Sequence, residues 1–141
     1  MKNRVAGIDF GLQRIGLALS DERHIFASPF KMVQTAKNLK DTAALLANEL
    51  SAYPLQCLVI GLPLHLNGKE SEMSLKTREL ADLLKALLNI EIILWDERLS
   101  SLQVERTLKE AQISRKNRKA LLDKTAAAAI LQNYLDSKNI F

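Results

Sequence analysis

The hydrophobic pattern changes after the first third of the chain, and this change limits the folds that are available. Three apolar, strand-like runs come first, at about Arg4 to Phe10, Arg14 to Ser20 and His24 to Pro29, and short turns join them. Helical and strand-like runs then alternate. Short turns join only antiparallel strands, whereas a helical crossover joins parallel ones. We therefore predict an α/β fold: a mixed five-stranded sheet with helices on both faces.

The later elements follow from spacing and turn signals. Cys57 to Ile60 is a continuous apolar run, which is typical of a strand buried on both faces. Pro29 predicts an edge position for the third strand, because proline cannot donate to a ladder. The next expected element is a helix from Thr35 to Ala52. A second helix, capped by Ser71 or Ser74, should carry one apolar face made of Met73, Leu80, Leu84 and Leu87. A strand from Glu91 to Trp95, a helix from Ser100 to Glu110 and a helix from near Ala120 to Asp136 follow.

Length and composition predict the domain count and limit the cellular compartment. A chain of 141 residues falls in the size range of one domain, so residues 1–141 should form a single unit. Cys57 is the only cysteine, which excludes an internal disulfide and fits a reducing cytoplasm. No apolar run has transmembrane length, so we expect no membrane partner. The net charge of +4 permits a polyanionic partner without requiring one.

Acidic residues from three elements should converge at one edge of this sheet. Asp9 ends the first strand, and Asp96 and Glu97 end the fifth, at the edge where α/β sheets place their sites. Asp123 lies on the last helix, on the side that should pack on the sheet, in helical register with Ala126, Ala127, Ile130 and Tyr134.

Each of these acids also has a structural interpretation. Asp9 could accept backbone N–H bonds from the turn that follows it, and Asp96, Glu97 or Asp123 could pair with a neighbouring basic residue. Clustered carboxylates repel one another, however, and hard oxygen donors suit Mg²⁺ or a similar ion. Together the acids therefore favour a metal site for phosphodiester cleavage.

The segment just before Asp123 is strongly basic and has no hydrophobic periodicity, so Ser114 to Lys119 is predicted to be a link. A charge run usually means a solvated surface, but beside Asp123 it could hold the backbone of a nucleic acid. We expect phosphate contacts from four of its residues: Arg115, Lys116, Arg118 and Lys119.

Short motifs along nearly the whole chain resemble the YqgF/RuvX family. They are Gly-Ile-Asp-Phe-Gly at 7–11, Arg-Ile-Gly-Leu-Ala at 14–18, Gly-Leu-Pro-Leu at 61–64, Asn-Gly at 67–68, Trp-Asp-Glu-Arg-Leu-Ser at 95–100, Asp-Lys-Thr-Ala-Ala at 123–127 and Ile-Leu-Gln-Asn-Tyr-Leu at 130–135. The resemblance implies a ribonuclease H-like fold and a bacterial nuclease that matures the 5′ end of pre-16S ribosomal RNA.

The resemblance also implies which residues act. Asp9, Glu97 and Asp123 would bind Mg²⁺ or Mn²⁺, with Asp96 as a further catalytic candidate. Gln13 departs from the family pattern, in which lysine often precedes the arginine, and this change could weaken a phosphate contact. Two arginines within the motifs are expected to contact nucleic acid as well: Arg14 and Arg98.

Several functions stay open at this point. The expected partner of a metal-dependent nuclease is precursor rRNA, with ribosomal particles as a further partner and a monomer or homodimer as the acting form. The alternatives are a Holliday junction resolvase-like enzyme on branched DNA and a non-catalytic RNA-binding module for ribosome assembly. Gly-x-Asp-x-Gly hairpins also open the actin and sugar-kinase fold, but this chain is too short for that fold's second lobe.

Overall fold

A computed structural model describes residues 3–98 and 115–139, and for residues 115–125 it gives the course of the helix alone. The predicted helix from Ser100 to Glu110 lies outside these residues. The strands are β1 (Arg4–Phe10), β2 (Arg14–Ser20), β3 (Ala27–Gln34), β4 (Leu55–Leu62) and β5 (Glu91–Asp96). The helices are α1 (Leu39–Leu50), α2 (Glu72–Leu88) and α3 (Arg115–Lys138).

The five strands form one mixed sheet in the order β3-β2-β1-β4-β5. β1 and β2 pair antiparallel, as do β2 and β3, whereas β4 pairs parallel with both β1 and β5. This confirms the predicted topology. The tight β1–β2 turn depends on a glycine, because a Cβ on Gly11 would lie only 2.5 Å from the carbonyl oxygen of Arg14.

Helices cover both faces of the sheet, as predicted. On one face α1 and α2 pack over alternate strand residues, and the buried core there includes Ala6, Ile8, Ile15, Leu17, Leu46, Leu50, Leu58, Ile60, Leu80 and Leu84. On the other face α3 is the one helix among the described elements, and it packs over a core of Val5, Ala18, Cys57, Val59, Ala127, Ile130, Leu131, Tyr134 and Leu135. The alternation of the two sets along each strand follows from the two-residue period of strand side chains.

Two glycines on the central strands let α3 approach the sheet closely. A Cβ on Gly7 of β1 would lie 2.9 Å from the Cβ of Leu131 and 3.1 Å from the carbonyl oxygen of Ala127. A Cβ on Gly61 of β4 would lie 2.6 Å from Cδ1 of Ile130. A side chain at Gly7 would push the helix away from the sheet, because it would meet a Cβ and a backbone oxygen, whereas a side chain at Gly61 would displace the end of the Ile130 side chain.

The helix α3 begins earlier than the sequence analysis predicted. The segment from Arg115 to Lys119 is the start of this helix, and the predicted link there is wrong. Arginine and lysine are good helix formers, so this basic segment needs no hydrophobic face to become helical. Within the described ranges, no helix has both the length and the apolarity to cross a bilayer.

Other boundaries differ as well: β3 ends at Gln34 instead of Pro29, and α1 begins at Leu39 instead of Thr35. β3 starts at Ala27, because His24 has a φ of +60° in a turn that Asp21 closes by accepting backbone hydrogen bonds from two residues. β3 is an edge strand, as Pro29 predicted. Ser71 caps α2 in a capping box with Ser74. The face predicted for α2 holds for Leu80 and Leu84 but not for Leu87, which is 55% exposed.

Candidate active site

A cleft of about 530 Å³ opens at the carboxyl ends of β1 and β4, where the sequence analysis placed the site. The β1–β2 turn forms one wall, and the start of α2 forms another. The lining includes two acids, one arginine and three apolar residues: Asp9, Glu97, Arg14, Met32, Pro63 and Met73. The cleft therefore combines two carboxylates with an arginine at its rim, a set of groups that can bind a metal ion and a phosphate.

Asp9 is the next-to-last residue of β1 and pairs with Gly16 of β2 in the register of the sheet. The alternation of strand side chains puts Asp9 on the same face as Gly7, which is the face that α3 covers. Its half-buried carboxylate lines the cleft. Asp9 thus lies on a rigid central strand, which fixes its position well.

Glu97 follows β5 directly and begins a helical turn. Its side chain reaches across β4, since a Cβ on Gly61 would lie 2.8 Å from its Oε2 atom. Burial, followed by the negative charges of Asp9 and Asp96, raises the pKa of Glu97 to about 7. The structure therefore brings Asp9 and Glu97 into one cleft, where their charges repel.

Asp96 is the last residue of β5 and does not line the cleft. Its carboxylate is held by Arg98, whose Nε lies 2.9 and 3.0 Å from its two oxygens and whose backbone N–H also donates to it. The hydrogen bond from Arg98 holds the pKa of Asp96 below its usual value. Of the two neighbouring acids, Glu97 faces the cleft, and Asp96 has the structural pairing with Arg98 that the sequence allowed.

The predicted basic residues occupy two regions. Arg14 starts β2 at the rim of the cleft and is exposed. Arg98 is occupied by Asp96 and by the carbonyl oxygen of Leu66, at 2.8 Å. The other four predicted contacts lie in the first turns of α3, where the side chains are outside the description: Arg115, Lys116, Arg118 and Lys119.

The direction of α3 bears on Asp123, whose own side chain is also outside the description. Tyr134 lies beside Cys57 near the start of β4, with 3.9 Å between Oη and Sγ, whereas Ile130 lies beside Gly61 near the end of that strand. The helix therefore runs towards the carboxyl ends of the strands as its residue numbers fall. Within the described side chains, no group of three histidines, cysteines or acids is arranged to hold a metal ion.

Sequence reasoning missed some of the apolar wall and the role of Gly61. Met32 and Met73 line the cleft, but their sequence spacing gave no sign of it. The signal for Pro63 was available, because the Gly-Leu-Pro segment follows a buried strand at the edge where sites form. Gly61 could have been noticed as a glycine inside a strand, which often marks a close approach.

Comparison with known proteins gives a consistent result. Residues 3–137 match the sequence model of a family described as "RuvX: Holliday junction resolvase". A protein named "Putative pre-16S rRNA nuclease" from Protochlamydia amoebophila is 43% identical over 142 residues, covering 96% of this chain and 95% of the relative. A protein of the same name from Endomicrobium trichonymphae is 44% identical over 135 residues, covering 95% and 96%.

Solved structures show the same fold at low sequence identity. T. thermophilus RuvC in complex with a Holliday junction substrate aligns with a TM-score of 0.60 at 15% identity, covering 96% of this chain and 95% of that one. The Fowlpox virus resolvase with Holliday junction DNA aligns with a TM-score of 0.55 at 13% identity, covering 97% and 99%. These alignments confirm the ribonuclease H-like fold class that the resemblance implied.

Proposed function

Since this chain belongs to the RuvX family, whose curated members carry the name of a nuclease, we propose that it is a divalent-metal-dependent endonuclease acting in 5′-end maturation of pre-16S ribosomal RNA. The observation that carries the proposal is the pairing of Asp9 with Glu97 in one cleft. Membership of a nuclease family makes phosphodiester hydrolysis the reaction, and this pair supplies acids at the right edge of the sheet.

The chemistry of these donors fits a divalent cation. Burial, followed by the negative charge of Asp9, raises the pKa of Glu97 to about 7, so a charged Glu97 is unfavourable in this cleft. Carboxylate oxygens are the ligands that Mg²⁺ and Mn²⁺ prefer, so Asp9 and Glu97 would hold the ion. A divalent ion bound there would supply an activated water and stabilise the leaving oxygen of the phosphodiester.

Asp123 is our proposed third metal ligand. Ala127 lies beside Gly7, and Asp123 is about one helical turn, roughly 6 Å, further along α3 towards the carboxyl ends of the strands. Asp9 lies two residues beyond Gly7 on β1, which is roughly 6.6 Å in the same direction. The course of the helix therefore supports a position for Asp123 at the level of Asp9.

The remaining residues would bind and orient the substrate. Arg14 at the rim is placed to contact a phosphate, and the basic start of α3, at residues 115–119, extends a positive surface beyond Asp123. Met32, Pro63 and Met73 would form an apolar wall beside the bound phosphate. In the metal-free protein Glu97 would carry a proton for much of the time near neutral pH.

The names of the relatives favour precursor rRNA, so we propose ribosomal particles as the setting, the cytoplasm as the compartment and a monomer or homodimer as the acting form. The second candidate is cleavage of branched DNA, and it is favoured by the description of the family as a Holliday junction resolvase. A non-catalytic RNA-binding module is the third.

One experiment separates these functions. Purified protein with Mg²⁺ or Mn²⁺ is tested side by side on precursor rRNA and on a four-way DNA junction, using wild type, Asp9→Asn and the control Asp82→Asn. Asp82 is an exposed acid on α2, so Asp82→Asn removes one negative charge, as Asp9→Asn does, but outside the cleft. We expect divalent-dependent cleavage of precursor rRNA that Asp9→Asn removes and Asp82→Asn retains.

Each alternative gives a different result in the same experiment. Faster cleavage of the junction than of the RNA would support the DNA enzyme. Binding of RNA without cleavage by any form would support the assembly module. Full cleavage by Asp9→Asn, in protein free of contaminating nuclease, would overturn the assignment of the acids.

A further inference from the structure

We propose that Arg98 is a positioning residue that fastens the β4–α2 loop, residues 63–71, to the end of β5 at the mouth of the cleft. The inference rests on the proposed function, because it assigns Arg98 a role in shaping that site. It replaces the direct phosphate contact that the sequence analysis expected of this arginine.

The guanidinium of Arg98 joins two segments that are far apart in the sequence. On one edge, Nε and Nη2 donate to the carboxylate of Asp96. On the other, Nη1 donates to the carbonyl oxygen of Leu66 at 2.8 Å, and it lies 3.5 Å from that of His65. The planar fork of arginine is suited to holding two partners at fixed angles, which a lysine ammonium cannot reproduce.

The other polar contacts of the loop lie within it or join it to α2, where Arg78 donates to both carboxylate oxygens of Glu70, at 2.7 and 3.0 Å. The backbone N–H of His65 donates to Lys69 at 2.9 Å, that of Gly68 donates to His65 at 2.8 Å, and the hydroxyl of Ser71 donates to the carbonyl of Pro63. Among the residues that the structure describes outside β4, α2 and the loop itself, Arg98 alone donates a hydrogen bond to it. The bonds of Arg98 to Asp96 and to Leu66, here called the latch, are therefore the polar restraint that the described residues place between this loop and the end of β5.

The position of the loop matters because its first residue, Pro63, lines the cleft. The other partner of the latch, Asp96, immediately precedes Glu97, so one side chain joins the segment that ends in Glu97 to the loop that begins with Pro63. Leu66 binds Arg98 through its carbonyl, and its side chain is 89% exposed. N–H donors on both edges of the Arg98 guanidinium are occupied within the protein, so fewer donors remain for a substrate phosphate.

The latch is tested by amide hydrogen exchange of residues 65–69 in the metal-free protein. We expect Arg98→Ala to raise the exchange rate at Gly68 and Lys69 by about tenfold, because the variant loses one charge-assisted hydrogen bond to the loop. Arg98→Lys should raise it to a similar degree, since the ammonium lacks the fork, and Asp96→Ala should raise it less. Lys31→Ala, which breaks the exposed pair with Glu49, is the control and should leave the loop unchanged.

A second measurement distinguishes the latch from a phosphate contact. For the latch, Arg98→Ala leaves the slope of log affinity against log salt unchanged. For a phosphate contact, the slope falls by about 0.7 to 0.9, and Arg98→Lys restores it. That fall, or unchanged loop exchange in both Arg98 variants, would overturn the proposal. The exchange experiment needs no cleavage, so it still tests the latch if the proposed nuclease activity fails.

Discussion

Glu97→Gln should stabilise the metal-free protein against unfolding, and the gain should increase with pH. The pKa of Glu97 is raised from 4.5 to about 7 in the folded state, first by burial and then by the charges of Asp9 and Asp96. Between those pH values the folded state binds a proton that the unfolded state has lost. The free energy of unfolding of wild type therefore falls as the pH rises through this range.

The size of the effect follows from the two pKa values. A rise from 4.5 to about 7 corresponds to about 3 kcal/mol, at 1.36 kcal/mol for each pKa unit. Below pH 4.5 the carboxyl is protonated in both states, so wild type and Glu97→Gln should differ little. Above pH 8 the carboxylate of Glu97 is charged in folded wild type, and the full free-energy cost of that buried charge lowers its stability. The variant lacks the charge and should be more stable by about 3 kcal/mol.

The assay is urea denaturation of both proteins in EDTA, from pH 4 to pH 8.5. Glu22→Gln, the same chemical change at an exposed turn position, is the matched control. A difference between Glu97→Gln and wild type that stays constant with pH would refute the reasoning. Added Mg²⁺ should stabilise wild type more than the variant, because a bound cation favours the charged form of Glu97.

Three further predictions concern the approach of α3, the basic segment and the third acid. Gly61→Ala should lower the free energy of unfolding in urea by about 1–3 kcal/mol and slow cleavage. The reason is that the new Cβ would lie 2.6 Å from Cδ1 of Ile130 and 2.8 Å from Oε2 of Glu97. Wild-type stability together with a wild-type cleavage rate would contradict this. Changing the four basic residues of segment 115–119 to glutamine should weaken nucleic-acid binding and flatten its salt dependence, and an unchanged slope would place the segment away from the substrate. Asp123→Ala should reduce divalent affinity and cleavage with unchanged helix content by circular dichroism, because alanine is a good helix former; unaltered metal affinity would remove Asp123 from the site.

The local signals of this sequence were strong enough to determine the sheet. The bounds predicted for β1 and β2 agree with the structure, because a glycine turn and two apolar runs define them. Short turns forced the first three strands to be antiparallel, and helical crossovers made the later pairs parallel. Pro29 correctly indicated the edge, since it has no N–H for a ladder. These features depend on neighbours within a few residues, and so the sequence carries them.

The tertiary structure decided what the acids at the edge of the sheet do. Asp96 and Glu97 are adjacent and chemically similar. Only the tertiary packing places the side chain of Glu97 against Gly61, whereas that of Asp96 is bonded to Arg98. The bond from Arg98 to Leu66 spans 32 residues, so no local pattern contains it. The raised pKa of Glu97 likewise arises from burial against β4 and from the charge of Asp9 on β1. Such effects depend on distances between separate elements, which are fixed only when the helices and the sheet pack together.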